Sequence, residues 1–251
     1  MQHHLYIVTG SSRGLGAALV GRLLKPEHVV LGIARHANPA LQARAETEGG
    51  ALAQWPLDLN NPLPVAERLR GWLADIDAQS IASATLINNA AAIGGGAPLG
   101  QVPLTALSNA LRVGLEAALL LSATFLEVTA NWSGQRRVLN ISSGLGRRAM
   151  AGSAAYCAAK AGMDHFSRAL QLEQAGEGNP ARIVAMAPGV IDTDMQVELR
   201  AADPSRFPER ERFVQMQNDG LLVSADACAE ALLARLARDD FGSEVIADLR
   251  S

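Results

Sequence analysis

Short apolar runs alternate along the chain with longer segments in which apolar residues recur every three or four positions. The short runs are mostly continuous, a pattern typical of parallel strands that are covered on both faces. In a longer segment such as the first, Leu15, Leu19 and Leu23 share one helical face. Because strand and helix patterns follow each other in turn, the sequence predicts an α/β fold with a doubly wound, mostly parallel sheet and helices on both faces.

Seven strands are predicted, at residues 5–9, 29–34, 51–57, 85–88, 138–142, 182–187 and 245–247. No linker rich in proline, glycine or serine divides the chain, so we expect residues 1–251 to form one domain. The least regular stretch covers residues 190–220 and carries mixed charges and two prolines, Pro204 and Pro208. A long irregular insertion is often functional, so we expect a substrate lid there, with a solvated helix as the alternative.

Composition excludes several classes of protein. With 251 residues the chain is long enough to bury a core without disulfide staples, and a net charge of -3 gives no basic face for nucleic acid. The two cysteines, Cys157 and Cys228, form no C-x-x-C pair, so we expect a reducing, cytoplasmic location. The longest apolar stretch, near residues 115–126, is too short to span a bilayer. His3 and His4 have no third ligand at a useful spacing, and we expect no metal.

A glycine-rich turn follows the first predicted strand and opens directly into a helix. Three glycines permit a tight turn, let the backbone approach a pyrophosphate and leave helix N-terminal amides to face its charge. A merely flexible turn is the alternative, but the position between strand and helix favours dinucleotide binding. The residues predicted to contact the cofactor in this turn are Gly10, Ser12, Arg13, Gly14, Leu15 and Gly16.

The spacing of this turn, G-x3-G-x-G, resembles that of the short-chain dehydrogenase/reductase family. Further segments resemble the family's motifs in the same order, namely Asn88-Asn89-Ala90-Ala91, Asn140-Ile141-Ser142-Ser143, Tyr156-Cys157-Ala158-Ala159-Lys160 and Pro188-Gly189-Val190-Ile191-Asp192-Thr193. The resemblance covers the whole chain and implies a Rossmann-type fold, an NADPH/NADP+ cofactor and a homodimer or other homo-oligomer. It adds, as cofactor contacts, Asn88, Ala90, Tyr156, Lys160, Pro188, Gly189, Ile191 and Thr193.

Tyr156 and Lys160 are four residues apart on a predicted helix, so both side chains project from one face. A free tyrosine has a pKa near 10, and a nearby ammonium favours the phenolate, which makes proton exchange possible near neutral pH. The resemblance implies that Tyr156 exchanges the proton with the substrate oxygen. Ser143 would donate a hydrogen bond to that same oxygen, and an ordinary helix surface is the alternative for the pair taken alone.

The cofactor choice is encoded near the end of the second strand. Many NAD enzymes have an acidic residue there, whereas this chain has Arg35, which with Arg13 could hold a 2′-phosphate. The sequence therefore predicts NADP over NAD, with a solvated arginine as the alternative. Asp58, after the third strand, resembles the family's adenine-contacting aspartate, although a surface turn would also explain it.

One family residue is missing. Gly114 stands where the family usually has a helix asparagine that helps water reach the lysine. Glycine in a helix interior costs up to about 1 kcal/mol relative to alanine, so we expect a packing or backbone reason for it. The substitution leaves open whether proton relay is impaired.

Within the family, the segment 188–196 and the tail from Phe241 to Asp248 resemble the branch of the sepiapterin and benzil reductases. That resemblance implies reduction of an activated vicinal diketone, benzil-like or pterin-like, with Ser143, Tyr156 and Asp248 contacting the substrate. Asp248 would accept N–H bonds from a pterin ring, while a solvated carboxylate near the chain end is the alternative. Two other functions stay open: a 3-ketoacyl reductase, and an NADP-binding sensor or scaffold with weak or no turnover.

Overall fold

The computed structural model describes residues 2–250, so the two ends of the predicted 1–251 domain lie outside the described residues. Seven strands form one all-parallel sheet in the order β3-β2-β1-β4-β5-β6-β7. The strands are β1 His3–Thr9, β2 His28–Ala34, β3 Ala51–Pro56, β4 Ile81–Asn88, β5 Gln135–Ile141, β6 Arg182–Ala187 and β7 Ile246–Asp248. The predicted doubly wound sheet is confirmed.

Helices cover both faces of this sheet. They are α1 Gly14–Leu23, α2 Pro39–Glu48, α3 Pro62–Ala74, α4 Leu104–Leu111, α5 Ala117–Val128, α6 Ala154–Gln174, α7 Asp194–Ala201, α8 Arg210–Asn218 and α9 Ala225–Leu236. One core packs α3 and α5 against the sheet through residues such as Leu69 and Phe125. The other packs α1 and α9 through Leu19 and Leu232. Within residues 2–250, no helix is long and apolar enough to cross a membrane.

The continuous apolar runs predict the positions of the strands, but the ends of the runs do not coincide with the ends of the strands. β4 begins at Ile81, four residues before the prediction, because the buried polar residue Ser83 interrupts the apolar pattern ahead of Thr85. Ser83 is held there by a 2.8 Å hydrogen bond between its Oγ and the Nδ1 of His4. β4 therefore extends further at its amino end than the hydropathy pattern indicates.

The chain reverses its direction of winding between β1 and β4. From β1 it runs outward to β2 and β3, and then it crosses back to β4 on the other side. In open α/β sheets, a crevice forms beyond the carboxyl ends of the strands at such a switch point. Both the glycine-rich turn after β1 and the segment after β4 lie there, so the fold itself places the predicted motifs side by side.

The segment 190–220 is more regular than its sequence indicates. It contains α7 and α8, although α8 buries none of its side chains. The segment is closed at its base by main-chain bonds, from the Asp192 amide to the Val223 carbonyl and from the Val223 amide to the Val190 carbonyl. Prolines and mixed charges masked two short helices, of which the exposed α8 fits the alternative of a solvated helix, and the lid stays a prediction.

Candidate active site

The glycine-rich turn has the shape that a phosphate needs. A side-chain carbon on Gly16 would lie only 2.0 Å from the Gly10 carbonyl oxygen, so the first turn of α1 packs directly on the turn. Gly10 and Gly14 have positive φ angles of 67° and 53°, in the region that favours glycine. No side chain caps α1, and its first turn has no acidic residue. The open amides at this N-terminus therefore face the crevice with partial positive charge.

The ends of β1 and β4 are tied together beside this turn. The Thr9 hydroxyl accepts hydrogen bonds from the amides of Asn89 and Ala90, at 2.9 and 3.0 Å. The Asn89 side chain donates to the Thr9 carbonyl oxygen at 2.9 Å. Ser12 is joined from the other side, since Asn38 donates to its carbonyl oxygen at 2.9 Å. The turn is thus held rigidly by its neighbours before any ligand binds.

The Asn88 side chain lies in the interior behind the crevice, and its predicted contact with the cofactor stays a prediction. Its side chain is buried and donates to Asn140 Oδ1 at 2.8 Å and to Ser122 Oγ at 3.0 Å. Asn140 in turn donates to Ser167 Oγ at 2.8 Å. This chain of amides links β4, β5, α5 and α6 in the interior, so the Asn88 side chain organises the site from behind.

Ser143, Tyr156 and Lys160 converge at the carboxyl end of β5. Lys160 is 1 % exposed, and its Nζ donates to the Ile141 carbonyl oxygen at 2.6 Å and lies 5.6 Å from the centre of the Tyr156 ring. Ser143 follows β5 by two residues, and its Oγ accepts from the Leu145 amide at 3.1 Å. The three side chains that the sequence predicts to be catalytic therefore lie together.

The electrostatics of this group favour a protonated phenol. Burial raises the pKa of Tyr156 to about 12, while a hydrogen bond with the Ser143 side chain acts to lower it. Burial lowers the pKa of Lys160 to about 8, and the carboxylate of Asp164 opposes that decrease. At neutral pH the phenol holds its proton and Lys160 is mostly charged, so a proton donor and a cation lie at one place.

The remaining predicted cofactor residues surround the same crevice. Arg35 and Asp58 are exposed just beyond the ends of β2 and β3, and the Asp58 carboxylate accepts from the Asn60 amide at 2.9 Å. Arg13 does not stand free, because its Nη1 lies 2.7 Å from Asp194 Oδ2 at the start of α7. After β6 come Pro188, Gly189 and Ile191, and then Thr193, which precedes α7. The Thr193 methyl carbon lies 3.4 Å from the position that a side-chain carbon on Gly14 would take.

Gly114 lies in one turn of π-helix, Arg112–Glu116, between α4 and α5. It is buried, and a side-chain carbon there would lie 3.3 Å from the Cβ of Ala159, the neighbour of Lys160. Such turns occur mostly as local bulges in otherwise α-helical segments. The glycine therefore permits a close crossing of this helical segment over α6, which agrees with a packing role.

Asp248 ends β7 and is part of a folded strand rather than a loose tail. Arg250 donates to both of its oxygens, from Nε at 2.8 Å and from Nη2 at 2.7 Å. This guanidinium lowers the pKa of Asp248 to about 2. Arg250 also lies against Gly189, where an added side-chain carbon would be 3.3 Å from Arg250 Cδ. Asp248 is thereby placed beside the loop after β6, at the same edge of the sheet as the other site residues.

A third apolar cluster packs segment 190–220 against the chain segments that follow β4 and β5. Phe207 is fully buried, stacks on Phe213 with ring centres 5.9 Å apart and packs with Ile93, Met150 and Leu199. Leu145, Cys157 and Met195 border the cluster. Because Leu145 and Cys157 follow Ser143 and Tyr156 closely in the chain, the cluster packs beside the loop and the helix that carry these two residues.

Sequence reasoning missed Asp164 and Arg147, which lie against the catalytic group. Arg147 Nε is 3.2 Å from Asp164 Oδ2, and Ser142 donates to Asp164 Oδ1. The one signal in the sequence was the placement of Asp164 a helical turn after Lys160. Among the residues that the structure describes, no cluster of three or more potential metal ligands is found.

Comparison with known proteins agrees with this geometry. Residues 4–204 match the sequence pattern of the short chain dehydrogenase family. The chain is 32% identical over 235 residues to a benzil reductase ((S)-benzoin forming) of Bacillus cereus, covering 94% of each chain. It is 32% identical over 253 residues to the sepiapterin reductase of Mus musculus, covering 94% of this chain and 93% of that one. The chain therefore belongs to the short chain dehydrogenase family, and the resemblance found in the sequence is confirmed.

Solved structures share the fold at lower identity. A short-chain dehydrogenase from Sphingobium yanoikuyae, in complex with NADPH, has a TM-score of 0.76 and 23% identity, covering 98% of this chain and 87% of that one. A 3-oxoacyl-[acyl-carrier protein] reductase from Brucella melitensis, in complex with NAD, has a TM-score of 0.81 and 19% identity, covering 99% and 96%. The same fold thus occurs with either cofactor.

Proposed function

We propose that the protein is an NADPH-dependent reductase that converts one carbonyl of an activated vicinal diketone to an alcohol. The observation that carries the proposal is the group formed by Ser143, Tyr156 and buried Lys160. Its relatives include a benzil reductase and a sepiapterin reductase, which supports the same class of substrate.

The residues around the crevice fit a nicotinamide dinucleotide. Gly16 lets the first turn of α1 pack directly on Gly10, and the uncapped N-terminus of α1 leaves amides that could face a pyrophosphate. Exposed Arg35 supports NADP, since a guanidinium can hold a 2′-phosphate with two parallel hydrogen bonds. Ser12, Leu15, Asp58, Ala90 and the loop from Pro188 to Thr193 would complete the contacts.

The chemistry of the protein's own side chains follows from their arrangement. When bound, the cofactor supplies the hydride that reduces the carbonyl carbon. Tyr156 donates its phenolic proton to the carbonyl oxygen, and the Ser143 hydroxyl donates a hydrogen bond to that oxygen as negative charge develops there. The Lys160 ammonium lies close enough to the ring to stabilise the phenolate that remains. Burial keeps the phenol protonated until this step.

The third apolar cluster supports an aryl or alkyl diketone as substrate. Phe207, Leu199 and Met150 come together in it, and segment 190–220 is the proposed lid that carries the first two. Closing such a lid would exclude water from the carbonyl during reduction. A pterin diketone would in addition require Asp248, whose two oxygens are held by Arg250.

Two other functions remain to be separated from this one. Gly114, in place of the usual asparagine, favours a sensor or scaffold that binds NADPH without consuming it. A 3-ketoacyl reductase is the other alternative within the family. We expect the purified protein to oxidise NADPH with benzil, much more slowly with NADH, and weakly with a 3-ketoacyl thioester. Binding of NADPH without oxidation by any ketone, diketone or pterin would establish the sensor instead.

We also propose a homodimer in the cytoplasm. Leu104, Leu111 and Leu119 are 82%, 40% and 46% exposed along α4 and α5. They are spaced by seven and eight residues, and the extra residue coincides with the π-helical turn, so they follow one side of the helix. Light scattering should give twice the chain mass, and Leu104→Lys with Leu111→Glu should give a monomer.

A further inference from the structure

A buried carboxylate lies next to the catalytic group and has no part in the reaction as described above. Asp164 is 2 % exposed and follows Lys160 by one turn of α6. Buried carboxylates are rare unless they are paired, because removing an ion from water is costly. Asp164 is paired twice, since Ser142 donates to its Oδ1 and Arg147 Nε lies 3.2 Å from its Oδ2.

The loop that carries Ser143 is pressed onto this carboxylate. A side-chain carbon on Gly146 would lie 2.9 Å from Asp164 Oδ2 and 2.9 Å from the Lys160 carbonyl oxygen. The contact therefore exists only because residue 146 is a glycine. Ser142 and Arg147 both reach Asp164 from this loop, so one carboxylate holds it at either side of Ser143 and fixes its distance from α6.

The same contacts extend to the C-terminal strand. Arg147 Nη2 donates at 2.9 Å to the carbonyl oxygen of Ala247, the residue before Asp248. The arginine thus joins α6, the loop after β5 and the end of β7. Asp164 and, from the end of β7, Asp248 are the carboxylates that face this guanidinium, and Asp164 is the one that pairs with it directly from α6.

We propose that Asp164 is a positioning residue for the reductase, which holds the Ser143 loop against α6 and acts as the counter-charge for buried Lys160. The inference rests on the proposed function, because it concerns the geometry of that site. The Ser142–Asp164–Arg147 bridge would thus affect catalysis by positioning Ser143 and Lys160, without contacting the substrate itself.

The charges around Lys160 make the role measurable. Tyr156 and Asp164 face it from its own helix, and Arg147 lies on the far side of Asp164 from the loop after β5. β5 contributes a neutral group, the Ile141 carbonyl oxygen. The pKa of Lys160 is lowered by burial and raised by Asp164. Removing the carboxylate should lower that pKa further, and removing Arg147 should raise it, because the carboxylate would then be less neutralised.

The experiment compares Asp164→Asn with Arg147→Gln in the full chain, using the rate of NADPH oxidation with benzil between pH 6 and 10. Asparagine keeps the shape and the Ser142 bond but removes the charge. We expect the alkaline decrease in kcat/KM to move down by about half a pH unit or more in Asp164→Asn and to move up in Arg147→Gln. Asp226→Asn breaks an exposed ion pair with Arg22 and is the matched control, which should leave the profile unchanged.

Two readouts separate this inference from folding and from the proposed function. The pH dependence of NADPH affinity, followed by fluorescence without turnover, should shift down in Asp164→Asn and up in Arg147→Gln. Equal shifts in both variants, or lower rates with unmoved profiles, would overturn the proposal and leave Asp164 a structural residue. If Asp164→Asn does not fold, Arg147→Gln alone decides by the direction of its shift. If the wild-type protein reduces no carbonyl compound, the proposed function is wrong, but the pH dependence of NADPH affinity still tests the role of Asp164.

Discussion

Gly114 and Ala159 are so close that a side-chain carbon on the glycine would lie 3.3 Å from the alanine Cβ. The contact lies beside Lys160 and inside the π-helical turn. The absence of the usual asparagine is therefore accompanied by a tighter crossing of two helical segments. If Gly114 serves packing, Gly114→Asn should destabilise the protein, whereas if its presence impairs proton relay to Lys160, the same substitution should raise turnover.

Restoring the asparagine, as Gly114→Asn, should lower stability by about 1 to 3 kcal/mol through overpacking against Ala159. Urea unfolding measures this loss, and NADPH oxidation measures turnover in the same samples. Gly71→Asn is the control, because Gly71 is also helical and a side-chain carbon there meets nothing within 4 Å. A stable and faster Gly114→Asn would show that the glycine impairs the relay and does not serve packing.

Tyr156→Phe should reduce turnover by about 10²-fold or more, because it deletes the proton donor and retains the ring over Lys160. NADPH affinity, measured by fluorescence, should stay close to that of the wild type. The chain has a single other tyrosine, Tyr6, in the middle of β1 between β2 and β4, and Tyr6→Phe is the matched control. Near wild-type turnover in Tyr156→Phe would remove Tyr156 from the reaction.

Arg35→Asp should move the cofactor preference from NADPH towards NADH. The carboxylate would repel a 2′-phosphate and accept hydrogen bonds from a free ribose hydroxyl. Arg35→Gln removes the cation without adding an acceptor, so it should weaken NADPH use without improving NADH use. The ratio of kcat/KM for the two cofactors is the measurement, and an unchanged ratio would mean that Arg35 is a surface residue.

Asp248→Asn should weaken turnover of a pterin diketone far more than that of benzil, which has no N–H groups to bind. Arg250→Gln is the informative partner, because it releases the carboxylate that Arg250 holds at 2.7 and 2.8 Å. If Asp248 binds the pterin ring, KM for the pterin should fall in Arg250→Gln. Equal effects of Asp248→Asn on both substrates would leave Asp248 without a recognition role.

Phe207→Ala should raise KM for a diketone and leave NADPH affinity unchanged, since Phe207 anchors the proposed lid in the third apolar cluster. Truncating a fully buried phenylalanine typically costs about 3 to 5 kcal/mol, and here the loss falls on segment 190–220. Hydrogen exchange should show faster opening of α7 and α8. Val197→Ala, at an exposed position on α7, is the control. An unaltered KM would argue against a lid.

The sequence predicted the order of strands and helices because each parallel strand is a continuous apolar run. It also predicted which turns meet, since carboxyl ends of parallel strands lie at one edge. It could not reveal the amide chain from Asn88 to Ser167, because those residues are 79 positions apart and meet only through packing. Side-chain orientation was likewise hidden: the motif predicted Asn88 as a cofactor contact but did not indicate that its side chain lies in the interior.

The bridge through Asp164 was hidden for a different reason. Arg147 and Ala247 are 100 residues apart, and the contact depends on where β7 ends beside β6. Asp164 is followed in α6 by other polar residues, and nothing in the sequence indicates that it is buried. The lid helices were obscured by Pro204 and Pro208, which lie between α7 and α8 and disrupt the periodicity on either side.

Arg13 connects the two halves of the crevice through one ion pair. Its guanidinium lies 2.7 Å from Asp194 at the start of α7, with both side chains 63% exposed. This ion pair is the contact through which the glycine-rich turn reaches the start of α7. The proposed contact of Arg13 with a cofactor phosphate would therefore draw on the same guanidinium that joins the start of α7 to the glycine-rich turn.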